Sequence, residues 1–282
     1  MLKKYESVCV FIRAYNASKF ILESLKSLRE QTFCGDISIT VLYDKGSTDD
    51  TIEILQGINV NEFNTINRKL EVIEHPNLSP FRSLLTYGFE KFANRYSYYT
   101  ILDYDNLFAP DYFEIIIEQM KKDNTDFMYS FPVKIDISGE TLGILFKKSI
   151  ISRKYLKYRI ILSNFIDANS IFLNNLSLNV ILSKLRKLKS KTYDWIFEDW
   201  IIGAIGLKCC NFDFLSSSKV YYRIHDSNIT ALNRFADTDR TNYNREMLTI
   251  SALRFLNNND IMIKFLTIVK ATQITIHSFI NK

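Results

Sequence analysis

Tyr99-Thr100-Ile101-Leu102-Asp103-Tyr104-Asp105-Asn106 is the stretch on which the reading of this chain turns. A mostly apolar, strand-forming run ends in two aspartates one residue apart. Residues i and i+2 of an extended segment face the same way, so Asp103 and Asp105 converge on one spot if the strand continues through them. Two carboxylates on one spot repel unless a cation lies between them, and hard oxygen donors suit Mg²⁺ or Mn²⁺. Asp-x-Asp is also short and common, and alone it reads equally well as a polar turn after a strand. Its surroundings decide between the two.

Upstream, Val8-Cys9-Val10-Phe11-Ile12 is apolar without alternation, as in a strand buried on both faces. A loop, Arg13-Ala14-Tyr15-Asn16, follows. Ser18 is placed to cap a helix carrying Ile21, Leu25 and Leu28 at i, i+4 and i+7. Ile37 to Leu42 reads as a second strand that ends in Asp44-Lys45-Gly46. Ser47-Thr48-Asp49-Asp50 has the Ser-x-x-acid form of a capping box, and Ile52 and Leu55 begin the helix it would start. Leu70 to Ile73 is a third strand, Phe81 to Ala93 is helical, and Tyr98 to Leu102 is a fourth strand. This alternation predicts an α/β fold with a mostly parallel sheet covered on both sides, its site outside the carboxyl ends of the strands. Arg13, Asp44 and Asp103 all leave from such ends and should share one crevice.

Downstream, Pro110 opens a helix through Met120. Phe127 to Ile137 and Leu142 to Phe146 read as strands of a more antiparallel region, with Ser138-Gly139 between them. Phe165 to Leu173 reads as a strand and Val180 to Leu188 as a basic amphipathic helix. Tyr193-Asp194-Trp195-Ile196-Phe197-Glu198-Asp199-Trp200 opens an apolar helix through Leu207. Two acids at a helix N-terminus are stabilised by its dipole, which accounts for Glu198-Asp199 without any function. Val220 to His225 is a strand ending in a histidine, whereas His75 and His277 read as ordinary satisfied polar residues. Two helical stretches close the chain after a soft boundary near Asp237-Thr238-Asp239-Arg240.

Composition narrows the classes. Apolar residues make up 47% of the 282, enough for a sizeable core, and 36 basic against 31 acidic residues give a net charge of +5. That excess is too small to call for a nucleic-acid partner. Arg153 to Arg159 and Lys184 to Lys191 are the densest basic clusters. Each is a solvated helix face or a surface that meets anionic headgroups or a phosphorylated acceptor. Cys9, Cys34, Cys209 and Cys210 show neither metal spacing nor a disulfide framework, which fits a reducing compartment. With no secretory leader and no spanning run in view, the expected location is cytoplasmic, with peripheral contact at the inner face of the cell membrane as an option.

Taken in order, four motifs resemble family 2 glycosyltransferases of the GT-A fold. They are Val10 to Asn16 with Ser24 to Thr32, then Asp44-Lys45-Gly46-Ser47-Thr48-Asp49-Asp50-Thr51, then Asp103-Tyr104-Asp105, then Glu198-Asp199-Trp200. Tyr222-Arg223-Ile224-His225 with Asn228 and Thr230 looks like the family's closing Arg-x-His element. The resemblance covers about residues 6–232. It implies a GT-A domain over 1–238, with a nucleotide-sugar-binding half (about 1–105) and an acceptor-side half (106–238). Residues 239–282 then form a C-terminal helical extension, free to pack on the domain, pair in a homodimer or lie on a membrane.

The implied activity is metal-dependent, inverting transfer from a nucleotide sugar, a UDP-sugar foremost, to a hydroxyl of a cell-surface glycan, capsular or lipid-linked acceptor. On this resemblance the nucleotide sugar lies against Arg13, Ala14, Tyr15, Asn16, Asp44, Lys45, Ser47, Asp103 and Tyr104. Asp105 holds Mn²⁺ or Mg²⁺, with Asp103 on the ribose or the metal and His225 a further metal or diphosphate ligand. Asp199 is the general base, with Glu198 the second choice. Lys45 stands where the family usually has an acid or a small residue.

Three other readings compete. A sugar nucleotidyltransferase would carry a Gly-rich basic loop after the first strand, and Arg-Ala-Tyr-Asn has no glycine. A dinucleotide-dependent oxidoreductase would show Gly-x-Gly-x-x-Gly after a strand, and none is present. A catalytically silent module that binds a partner or a glycan would have no need of Asp103, Asp105, Asp199 and His225 together.

Overall fold

The non-alternating apolar runs at the start of the chain form the middle of a seven-stranded sheet. The structure, a computed structural model, describes residues 6–58, 64–65, 67–76, 78–146, 152–188, 191–217, 219–226 and 237–280, with only the backbone of 237–242 and 278–280. Asn228 and Thr230 of the closing motif, and Lys189 and Ser190 of the second basic cluster, lie outside them.

Strands β1 (Ser7–Ala14), β2 (Asp36–Asp44), β3 (Arg68–His75) and β4 (Tyr98–Asp103) are mutually parallel, in the order β4-β1-β2-β3. Helix α1 (Ile21–Arg29) and helix α2 (Thr51–Gly57) make the first two crossovers. The third is a helical stretch, α3 (80–92), whose middle, Leu84–Phe89, is wound as a π-helix. Residue parity explains the lack of alternation in β1. Cys9 and Phe11 enter one core with Phe81, Phe89 and Ile202, while Val8, Val10 and Ile12 enter the other with Ile21, Leu25 and Phe113. Both faces are covered, so neither parity can be polar.

The second half extends the sheet and adds a smaller one. After the two-residue strand β5 (Leu107–Phe108), helix α4 (Tyr112–Asp123) leads to β6 (Phe127–Ser130). Strands β7 (Val133–Ile135) and β8 (Thr141–Ile144) follow, then helix α5 (Leu156–Leu162) and β9 (Ile171–Asn174). Helix α6 (Asn175–Leu185) and helix α7 (Glu198–Cys209) precede β10 (Phe212–Leu215) and β11 (Val220–Arg223). In the large sheet β9 lies antiparallel between β4 and β6, and β10 edges β6. The small sheet runs β5-β11-β7-β8. The chain ends in helix α8 (Asp237–Leu256) and helix α9 (Ile261–Ile280). Ile250, Leu253, Ile263 and Ile274 of these helices belong to the same core as Phe11 and Ile202, so the expected C-terminal extension packs as part of the domain.

Several local expectations are corrected. Phe127 to Ile137 is two strands in two sheets rather than one, because the chain crosses between sheets at Phe131-Pro132. Arg13 and Ala14 belong to β1 rather than to a loop. Ser18 does not cap α1: helix α1 starts after Phe20 with no side-chain cap, and the Ser18 N–H donates to Asp49 (3.0 Å). The Ser47–Asp50 capping box does not form either. Ser47 Oγ donates to the Asp44 carbonyl (2.9 Å), and Asp49 accepts the Thr51 N–H (3.1 Å) instead.

Gly206 shows how tightly α7 meets the sheet. A Cβ there would lie 2.4 Å from the ring of Phe127, which is fully buried. Gly206→Ala should therefore destabilise the fold by about 1–3 kcal/mol through overpacking. A thermal melt of the variant reads this directly, and an unchanged melting temperature would show that the α7–β6 contact is looser than described.

Candidate active site

Parallel pairing puts Arg13 opposite Asp103 at the carboxyl ends of β1 and β4. Both share parity with the residues that face α7, namely Phe11 and Ile101. The register therefore dictates an ion pair under the N-terminus of α7. Arg13 Nε donates to Asp103 Oδ1 (3.2 Å), Nη2 joins the same oxygen, and Nη1 donates to Glu198 Oε1 in the first turn of α7. Burial works against the Arg13 charge, but Asp103 and Glu198 outweigh it and hold its pKa above the ordinary arginine value. The other Asp103 oxygen accepts from Asn169 Nδ2 (3.1 Å).

Asp103 is the last residue of β4, and Tyr104 and Asp105 form a turn closed by the Asn106 N–H on the Asp103 carbonyl (3.1 Å). The extended geometry that would have aligned the two aspartates stops two residues too early. Asp103 stays with Arg13 and Asn169, whereas Asp105 Oδ2 lies 2.9 Å from His225 Nε2. Burial raises the Asp105 pKa against the opposing hydrogen bond from His225. Arg223, 1% exposed, fixes this turn. Its Nε donates to the Asp105 carbonyl (3.0 Å), its Nη2 to Glu23 (2.7 Å), and its backbone N–H to Asn106 Oδ1 (2.9 Å). The histidine ring packs 4.8 Å from that of Phe20. In the Arg-x-His element the arginine is thus a clamp and the histidine faces the turn.

The Asp105–His225 pair has the chemistry of a divalent-cation seat, one hard oxygen and one imidazole nitrogen. Among the described residues no group of three or more His, Cys, Asp or Glu side chains gathers as a metal site. Two protein donors suit an ion that takes its remaining ligands from substrate phosphate and water, as Mg²⁺ commonly does.

The loops after β1 and β2 close on each other. Asn16, in the left-handed region at φ +48°, accepts the Thr48 N–H on its side chain (2.8 Å) and donates its own N–H to Ser47 Oγ (3.3 Å). Asp44 Oδ1 accepts the Gly46 N–H (2.8 Å), which turns the chain sharply after β2. Ala14 is buried, Tyr104 is half-buried, and Tyr15 and Lys45 are exposed on the rim.

At the other wall Asp199 accepts from Asn164 Nδ2 (2.8 Å) and from the Trp200 N–H (2.7 Å). Burial, then the charges of Glu198 and Asp167, push its carboxyl up to about 8. Asp167 is itself pushed up to about 7 by burial and by Asp103. Glu198 Oε2 is buried with no hydrogen-bond partner among the described residues. The Arg13 guanidinium thus pairs with two carboxylates, Asp103 and Glu198, and the acids Asp167 and Asp199 belong to the same charged cluster.

The family profile described as "Glycosyl transferase family 2" matches residues 9–177. The chain belongs to glycosyl transferase family 2. Chondroitin synthase of Escherichia coli is 30% identical over 167 residues, which are 58% of this chain and 23% of that protein. A Haemophilus influenzae protein named as an uncharacterized glycosyltransferase is 25% identical over 272 residues, 95% of this chain and 80% of its own length. Among solved structures, S. aureus TarS 1–349 in complex with UDP-GlcNAc matches with a TM-score of 0.60 at 17% identity, covering 88% of this chain and 66% of that one. That likeness confirms the GT-A fold. The chain thus spans under a quarter of the synthase and about two thirds of the TarS chain.

Several residues of this family 2 site were not read from the sequence. Asn164 lies just before, and Asp167 and Asn169 within, the stretch Phe165 to Leu173 expected as a strand; β9 starts only at Ile171, and Asp167 and Asn169 sit in the turn before it. Asn169 is the most telling, since it also accepts the Asp103 N–H and donates to Asp167 Oδ1 (2.8 Å). Thr249 and Arg245 come from α8, outside the matched region. Thr249 Oγ1 accepts the Phe197 N–H (2.9 Å), and Arg245 Nε donates to the Trp195 carbonyl (3.1 Å). Helix α8 thereby holds the residues leading into Glu198.

Raised carboxyl pKa values set a sign for stability. The native state keeps protons on Asp199 and Asp167 that the unfolded chain releases above about pH 4, so stability falls as pH rises from there to about pH 8. Asp199→Asn removes that penalty. After allowing for the partial exposure of the group, the variant should be more stable than the wild type by roughly 1–3 kcal/mol at about pH 9 and equal to it below about pH 4. Chemical denaturation at both pH values measures the difference, and an equal loss at both would refute the proton accounting.

Proposed function

We propose that this family 2 chain moves a sugar from a nucleotide sugar, a UDP-sugar in the first instance, to a hydroxyl of a glycan or lipid-linked acceptor, inverting the anomeric centre. The observation that carries the proposal is the Arg13–Asp103–Glu198 ion triad at the carboxyl ends of the central strands, with the proton-avid Asp199 beside it. The likeness to TarS, seen with UDP-GlcNAc and with UDP, supports the choice of donor.

In this reading the nucleoside lies along the rim made by Ala14, Tyr15, Asn16, Asp44 and Ser47, and the exposed Lys45 approaches the diphosphate. Mn²⁺ or Mg²⁺ held by Asp105 and His225 would supply charge neutralisation for the diphosphate leaving group. Asp103 has both oxygens engaged by Arg13 and Asn169, so its part is to orient Arg13 and the turn, with the ribose as its ligand. Asp199 takes the proton of the acceptor hydroxyl as that oxygen bonds to the anomeric carbon. The carbon–oxygen bond to the diphosphate breaks, and its electron pair leaves with the nucleoside diphosphate. Attack and departure on opposite faces in one step give inversion. The anomeric carbon becomes electron-poor as the bond breaks, and the surrounding carboxylates favour that charge. Glu198, held by Arg13, offers its free buried oxygen to a sugar hydroxyl.

Two measurements test this reading. Release of nucleoside diphosphate from a panel of nucleotide sugars should occur with Mn²⁺, stop with chelator, and fall on the order of 10²–10⁴-fold in Asp199→Asn. Calorimetry should show metal-dependent nucleoside diphosphate binding retained in Asp199→Asn and lost in Asp105→Ala. Binding that ignores both metal and Asp105 would remove the assigned seat. The pH profile is the second. The base works when deprotonated, so kcat/KM should rise with pH and level off above about pH 8. A profile flat from about pH 6 to pH 9 would exclude Asp199 as the base.

A further inference from the structure

Helix α9 is apolar on two opposite faces. Ile263 and Ile274 are buried in the domain, while Ile261 (83% exposed), Phe265 (60%), Ile268 (50%) and Ile276 (53%) face away from it. Their spacing of four, three and eight places them on one stripe of the 20-residue helix. An exposed apolar stripe of this length on a soluble surface marks a docking face.

The charge around the stripe says what it meets. At its start Ile261 and Met262 line a concavity with Lys184, Lys187 and Lys208. A second concavity, sharing Lys208, is lined by Arg153, Lys154 and Lys157 on the neighbouring turn into α5, the helix against which α9 packs. Two acids offset part of this charge: Lys208 pairs with Asp260 (2.9 Å) and Arg153 with Asp213 (3.1 Å), which leaves Lys154, Lys157, Lys184 and Lys187 as the basic excess. Tyr155, half exposed, stands between Lys154 and Lys157. Basic side chains beside apolar and aromatic ones form the pattern of a helix lying in a headgroup region. A second copy is the poorer fit, because a two-fold contact would bring the same basic rim against itself. No described helix is long and apolar enough to cross a membrane, so the contact is with a surface.

We infer that the outer face of α9 and the lysine-lined concavities at its N-terminal end form a docking surface for an anionic phospholipid bilayer. The apolar stripe enters the headgroup boundary, and Lys184, Lys187 and the Arg153–Lys157 turn contact phosphates. The inference is independent of the donor and of the chemistry proposed above.

Flotation of the full chain with phosphatidylcholine vesicles, and with vesicles enriched in phosphatidylglycerol, tests it. The chain should float with the anionic vesicles and not with the neutral ones, and raised salt should weaken the association. Lys184→Ser with Lys187→Ser should weaken it at least about tenfold, at roughly fivefold per removed charge. Phe265→Ser with Ile268→Ser should also weaken it, with an unchanged circular dichroism melt, because all four side chains lie outside the core. Sedimentation velocity on the same samples completes the test. No flotation, equal flotation with both vesicles, or a wild-type dimer that Phe265→Ser converts to monomer would each overturn the lipid assignment.

Discussion

A single guanidinium ties three parts of this chain together. Arg13 sits at the end of the first strand, Asp103 at the end of the fourth, and Glu198 at the start of a helix 185 residues after Arg13. Breaking a largely buried charge pair leaves an uncompensated charge, which costs far more than an intact pair contributes. The three elements are therefore constrained to meet at one point, and everything near it inherits that geometry. The Asp103 main chain fixes where the next turn begins, the turn fixes Asp105, and α7 carries Asp199 into place beside Glu198. The cluster also carries more acid than the arginine can balance. Burial and the negative charge of neighbouring acids raise both the Asp167 and the Asp199 carboxyls, so each keeps its proton to higher pH than an ordinary aspartate.

Much of the fold was legible in the residues. The first strand announces itself by an apolar run without alternation, which is what a sheet covered on both faces demands, while the next two show apolar residues interleaved with polar ones, as in Ile37-Ser38-Ile39-Thr40 and Leu70-Glu71-Val72. The acids of Glu198-Asp199 and the histidine after β11 were readable as candidates, because short motifs in a fixed order narrow the choices. What failed has a physical pattern. Phe127 to Ile137 has one hydropathy character over its length, yet it serves two sheets, and periodicity carries no information about the partner strand. The Asp103/Asp105 argument assumed an extended backbone for two residues more than the chain provides. Asp167 and Asn169 fall within Phe165 to Leu173, which reads as one strand, whereas the strand starts only at Ile171 and the two residues sit in the turn before it. Their position follows from β9, whose insertion between β4 and β6 brings the preceding turn against the end of β4.

The same limitation applies to the termini of elements. Ser18 and Ser47 have the composition of helix caps, but the Ser18 N–H donates to Asp49 in the other loop, while the Ser47 N–H and hydroxyl both donate to the Asp44 carbonyl in its own loop. Local hydrogen bonds within each loop compete with bonds between loops. Here both kinds form, and the inter-loop bonds are possible because the parallel register of β1 and β2 ends both strands at the same level.

Thr249 and Arg245 bear on the order in which the protein can be completed. The Trp195 carbonyl and the Phe197 N–H find partners about fifty residues later in the chain, and Glu198 finds its own at residue 13. Contacts of such long sequence separation form late, since the loops that close them must lose their freedom first. During synthesis strands β1 to β4 have emerged well before α8 exists. The acid-bearing turn is then the last part of the crevice to become rigid, so the wall that carries Asp44 and Asp103 would take shape before the wall that carries Asp199 as the nascent chain grows.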